Sequence, residues 1–132
     1  MEKVTSIRGV FIKAKDVKSL AGWYQKHLGI EFGNNSYVDF KWLNKDSNLP
    51  GNTMFSFFKE DSTYFNPSRK PFMINFRVKD LEGLLEELKK EGVEVVGDKE
   101  EYEYGKFGWI INPEGNKIEL WQPVNEIVTN KP

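Results

Sequence analysis

Residues 10–32 read VFIKAKDVKSLAGWYQKHLGIEF, and residues 74–96 read INFRVKDLEGLLEELKKEGVEVV. Both stretches follow one plan: an alternating apolar run, a Lys-Asp pair, an amphipathic stretch, and a glycine at 29 or 92. Asp80 stands 64 positions after Asp16 (80 − 16), and the same offset carries GNTMFSF at 51–57 onto GNKIELW at 115–121. The chain is therefore two copies of one strand–helix–strands unit. Any site shared by the copies can be checked at paired positions.

In the first copy, residues 6–14 alternate as a strand, with Val10, Ile12 and Ala14 on one face and Ile7, Gly9, Phe11 and Lys13 on the other. Asp16 suits a helix N-cap, because its carboxylate can accept from free N–H groups of the first turn. Val17, Leu20, Ala21, Tyr24 and Leu28 then form one apolar stripe, and Gly29 ends the helix where a positive φ is needed. Strands are expected at about 30–33, 37–43 and 53–59, separated by the turn formers GNNS and NKDSNLPG. The second copy repeats the order. A strand at 72–79 precedes a helix at 80–91 built on Leu81, Leu84, Leu85 and Leu88, a strand at 93–97 and a hairpin turning at Asn112-Pro113-Glu114-Gly115.

The reading is a single domain over 1–132, with module one at about 5–59, a linker at 60–71, module two at about 72–123 and a tail at 124–132. The fold class is α+β: two βαβββ modules whose strands curl into a mixed-sheet cup, with the helices on its outer face. Strand parity assigns the faces. Phe72, Ile74, Phe76 and Val78 lie beneath the helix, so Met73, Asn75 and Arg77 look into the cup; by the same rule Lys117, Glu119 and Trp121 look in. The repeat puts Phe55 and Phe57 opposite Glu119 and Trp121. An Arg, an Asn and a Glu among aromatic side chains is the makeup of a small-molecule pocket.

Composition narrows the alternatives. Lys and Arg (19) nearly balance Asp and Glu (20), so no basic stripe points to nucleic acid. The absence of cysteine excludes disulfides and thiolate ligands. The N-terminus MEKVTSIRG is polar, and no apolar run approaches the ~20 residues of a membrane span, so a cytoplasmic protein is expected.

The phrase KDVKSLAGWYQKHLGIEF, together with the ending NPEGNKIELWQP, resembles the vicinal oxygen chelate superfamily over about residues 5–123. That group includes glyoxalase I, extradiol dioxygenases, fosfomycin-resistance enzymes and bleomycin-binding proteins. The resemblance implies paired βαβββ modules, a homodimer, and a ligand in the cup. In metal-using members it places four ligands, one seven residues before each helix-capping Asp and one on the last strand of each module. Here those positions are Gly9, Met73, Phe55 and Glu119. Only Glu119 is a ligand for a hard or borderline cation, whereas a catalytic zinc needs three protein ligands. No metal or other cofactor is therefore expected.

The expected function is metal-free binding of a small apolar or aromatic molecule, in sequestration, resistance-like protection or transport. Glu119, Arg77 and Asn75 would supply polar contacts, with Trp121, Phe55, Phe57, Trp42 and Trp109 as aromatic surface and Tyr104 at the rim. Arg77 would either neutralise Glu119 or fork onto an anionic group. The net charge of −1 weakens a strictly bleomycin-like reading, because that drug is cationic. The alternatives are a metal-dependent lyase or dioxygenase of the glyoxalase type, and a metal-independent isomerase or lyase with Glu119 as base. His27 reads as a helix-end histidine favoured by the dipole, and the run EEYEY at 100–104 as an exposed loop.

Overall fold

The computed structural model describes residues 3–43 and 50–124. The chain runs β1 (Val4–Ala14), α1 (Val17–Leu28), β2 (Tyr37–Leu43), β3 (Pro50–Lys59), β4 (Phe72–Val78), α2 (Leu81–Lys90), β5 (Glu94–Val95), β6 (Glu100–Tyr102), β7 (Gly105–Ile111) and β8 (Lys117–Pro123). All strands join one sheet in the order β2-β3-β1-β4-β8-β7-β5, with β6 pairing β7. The sheet is mixed: β1 runs parallel to β3 and β4 parallel to β8, while β1 and β4 meet antiparallel at the junction of the two copies.

Both helices start as the sequence dictates. Asp16 accepts from the Ser19 N–H at 3.0 Å and Asp80 from the Gly83 N–H at 3.1 Å, each satisfying an otherwise free donor of the first turn. Gly29 closes α1 at φ 70°, in the left-handed region that costs glycine nothing. The Asn112 turn forms as expected, with the Gly115 N–H on the Asn112 carbonyl at 3.0 Å.

Leu81, Leu84 and Leu85 bury beneath α2 against Val78 and Leu120, with Phe76, Ile110 and Ile118 around them. Burying each such leucine contributes roughly 1.5–3 kcal/mol. Under α1 the matching layer is Ala14, Ala21, Phe32 and Phe57, ringed by Tyr24, Phe55 and Val38.

Three expectations are corrected. Residues 30–33 form no strand; Phe32 is instead buried, stacked on Phe57 with centroids 5.2 Å apart. Module one therefore keeps two strands after its helix. The run at 100–104 is partly strand, because β6 pairs β7 antiparallel. Residues 60–71 are no mere linker either: Phe65 is fully buried against Phe11, Met73 and Trp109 on the cup side of the sheet. The tail residues 125–132 and most of the NKDSNLPG turn lie outside the described residues.

Candidate functional site

The ladders line up one continuous row across the cup. Asp39 pairs Met54, Met54 pairs Gly9, Gly9 pairs Asn75, Asn75 pairs Glu119 and Glu119 pairs Trp109. On one side of it lies the row Ser6, Arg77, Trp121 and Phe107; on the other lie Tyr37, Ser56, Phe11 and Met73. These rows are the inner face, and parity placed Asn75, Glu119, Trp121, Arg77 and Met73 on it.

Glu119 is the centre. Its carboxylate is 2% exposed and accepts from three protein donors: the Tyr64 hydroxyl, the Asn75 amide and, at 2.8 Å, the Trp109 indole N–H. Burial first, then the charge of Glu119, pushes the Tyr64 phenol well above the usual tyrosine range, so it remains a neutral donor. Lys117 donates to the Tyr64 carbonyl at 2.7 Å and lies over the Tyr64 ring, fixing the loop residue from the opposite side. Tyr64 also stacks on Phe58 at 5.7 Å with planes 6° apart.

The segment carrying Tyr64 and Phe65 therefore fills the Phe11–Met73 end of the cup. The row with Ser6, Trp121 and Phe107 lies at the other end. There Arg8 sets its guanidinium over the Trp121 ring, 4.6 Å from the centroid. Strict alternation puts Arg8 on the outer face and Ile7 in the cup. Two register shifts in β1, between Val4 and Ser6 and between Ile7 and Gly9, reverse this. Ile7 then pairs Phe76 on the helix side, 47% exposed, and Arg8 joins the cup, where Glu119 and Asp39 act on its charge. The signal in the sequence was Gly9, where an added Cβ would lie 2.7 Å from the Phe11 ring.

Several expected site residues are elsewhere. Phe55 and Phe57 pack under α1 against Tyr24 and Phe32, not in the cup. The ladders explain this: Val10 pairs Phe55 as Ile74 pairs Ile118, so the equivalent of Glu119 is Ser56 and the repeat offset slips by one residue in β3. Trp42 shares the parity of Val38, and so lies on the helix side; its indole N–H binds Thr53 Oγ1 at 3.1 Å at the sheet edge. Trp109 is in the cup but committed to Glu119. Tyr104 stands at the rim, 60% exposed and stacked on Tyr102 at 5.4 Å. Arg77 occupies the Trp121 row, and its carbonyl accepts from Thr5 Oγ1 at 3.2 Å. The residues missed from sequence are Tyr64, Arg8 and Ser56.

The metal positions of the superfamily become Gly9, Ser56, Met73 and Glu119. They do not fit a metal. Gly9 has no side chain and no room for one, Met73 is packed in the core, and the Glu119 oxygens already hold three donors. Among the described residues no three His, Cys, Asp or Glu side chains gather to hold an ion. No helix among them is long and apolar enough to cross a membrane.

The profile of a family described as glyoxalase-like domain matches residues 9–121. Among solved structures, Streptomyces coelicolor methylmalonyl-CoA epimerase in complex with 2-nitronate-propionyl-CoA superposes with a TM-score of 0.66 at 16% identity, over 92% of this chain and 99% of that one. Methylmalonyl-CoA epimerase from Mycobacterium tuberculosis gives 0.58 at 20% identity, over 94% and 91%. A Legionella pneumophila structure described as an NAD-dependent benzaldehyde dehydrogenase gives 0.57 at 12%, over 87% and 97%. At these identities the likeness is one of fold. No curated protein sequence matches the chain.

Proposed function

We infer the function from one premise, that this chain belongs to the glyoxalase-like domain family, and we propose that it binds a small organic molecule with a flat or apolar body in its cup, without a metal. One observation carries the reading: the buried carboxylate at the centre of the cup is saturated by Tyr64, Asn75 and Trp109, while Gly9, Ser56 and Met73 stand at the other three positions. The ligand's place is the end of the cup left by Phe65, walled by Trp121, Phe107 and Tyr104. The Streptomyces epimerase was solved with an acyl-CoA analogue, which supports a small-molecule role for a cup of this fold. The role is sequestration, protection or transport in the cytoplasm, and nucleic acid is no partner for a chain of net charge −1.

A second reading has one specific observation in its favour. Tyr64, a neutral phenol, is bonded to the buried Glu119 carboxylate, which is the pairing a metal-independent isomerase or lyase would use to move a proton. Exchange of a carbon-bound ligand hydrogen with deuterated solvent, present in the parent and lost in Glu119→Gln, would select this reading over binding alone.

The proposal includes a homodimer. The outer face between the helices carries Val4, Ile7 and Phe72, all more than a third exposed, on strands paired antiparallel about a local two-fold. An exposed apolar patch of this kind would meet the same patch of a second copy in an isologous contact.

The test of ligand binding is a screen of planar metabolites and antibiotics by tryptophan-fluorescence quenching, repeated on Trp121→Ala and Phe107→Ala. Each substitution is expected to weaken a true ligand by on the order of 1–3 kcal/mol. A confirmed ligand that binds both variants as tightly as the parent overturns the placement.

A further inference from the structure

We propose that Arg8 is the anion-recognising residue of the cup, and that the ligand is a planar molecule bearing a single carboxylate. This rests on the small-molecule reading above and specifies its chemistry. Arg8 is half-buried and carries five N–H donors, yet among the described residues its only hydrogen bond is from Nη1 to the Met54 sulfur at 3.7 Å. Its Nε–H is buried with no acceptor. Two neighbours share that condition: the Trp121 indole N–H and the Ser6 hydroxyl are also buried and unbonded. Ser6 and Trp121 belong to one row of the sheet, and Arg8 lies over Trp121. Arg8 stands two residues from Ser6 on β1 and over the Trp121 ring; its unmet guanidinium donor beside the Ser6 hydroxyl calls for an anionic acceptor, because buried donors without partners are costly and charge-assisted bonds to a carboxylate are strong.

The protein's own carboxylates do not fill this role. Glu119 is committed to Tyr64, Asn75 and Trp109, and Asp39 takes the Asn52 amide at 2.9 Å. Burial, the larger influence, holds the Arg8 guanidinium below the usual arginine range, while Asp39 and Glu119 act the other way. Their nearness still sets the ligand's charge. Asp39 and Glu119 already act on the Arg8 charge, so a monoanion is a better match for it than a dianionic phosphate. The guanidinium lies on the Trp121 ring, so rotating it lets its fork meet the ligand and changes the surroundings of the indole. The flat body then rests on Phe107, whose ring stands 6.0 Å from Tyr104 and 6.3 Å from Trp121.

The experiment titrates 2-naphthoate, 2-naphthamide and 2-naphthyl phosphate into the full chain by calorimetry, while following the indole N–H signals by NMR. We expect 2-naphthoate to bind at least tenfold tighter than the isosteric amide and to move the Trp121 signal, identified with Trp121→Phe. Arg8→Met, which keeps the volume, should erase that preference with circular dichroism unchanged, and Arg8→Lys should restore part of it. Equal binding of acid and amide, or a preference that survives Arg8→Met, overturns the inference and leaves the small-molecule reading standing. Tighter binding of the phosphate overturns the assignment to a carboxylate. If no naphthyl compound binds, the aromatic-ligand reading falls and this inference with it.

Discussion

The Tyr64 hydroxyl donates to Glu119 Oε2, tying the segment between the modules to the last strand of the second. The bond closes the centre of the cup from above. Glu119→Ala would leave the Tyr64, Asn75 and Trp109 donors without their acceptor, and each unmet buried donor costs about 1–3 kcal/mol. Urea unfolding should show a loss of at least about 2 kcal/mol, with Glu119→Gln milder because the amide still accepts. A loss below about 0.5 kcal/mol would mean that the network is not formed in solution.

Alkaline pH gives a second handle on the same bond. The Tyr64 phenol is held protonated in the folded chain above its ordinary pKa of 10.0. A raised folded pKa contributes stability that is fully present below the unfolded value and lost as pH rises above it. Stability should therefore fall above about pH 10, less steeply in Tyr64→Phe. In an absorbance titration of the five tyrosines, the last to ionise should disappear in that variant.

Phe65 and Phe57 separate the two layers. Both are buried, at 0% and 3% exposure, and truncating either to alanine should cost about 3–5 kcal/mol. Their effects on the cup should differ. In a buffer where both variants remain folded, Phe65→Ala should change the quenching of Trp109 by acrylamide, since the two residues share one cluster. Phe57→Ala should not, because its ring lies under α1. Equal changes in both would contradict the assignment of faces.

Metal content is expected to be well under one ion per chain after purification without a histidine tag, by elemental analysis. Gly9 and Met73 offer nothing to a hard cation beside Glu119, and the Ser56 hydroxyl alone does not complete a ligand set. Stoichiometric zinc, nickel or iron that is lost in Glu119→Ala would refute the metal-free reading.

Sedimentation equilibrium at micromolar concentration should give twice the 15.4 kDa of one chain. Ile7→Glu, on the exposed outer patch, should shift the protein to monomer without unfolding it. A parent protein that is already monomeric would remove the dimer from the proposal.

The sequence by itself determined the two-module plan, both capped helices, the turn at Asn112, and the inward set Met73, Asn75, Lys117, Glu119 and Trp121. Those features are local or periodic: a cap depends on three residues, and alternation survives wherever a ladder is regular. Tertiary structure decided the rest. The bulges in β1 turned Ile7 out and Arg8 in, and the one-residue slip in β3 exchanged Phe55 for Ser56, because pairing with a neighbouring strand, and not the strand's own pattern, sets which residues face which way. The placement of Tyr64 and Phe65 in the cup has no period to announce it. It follows from a long-range fit between a loop and a cavity formed by strands far away in the chain, and only the folded chain brings them together.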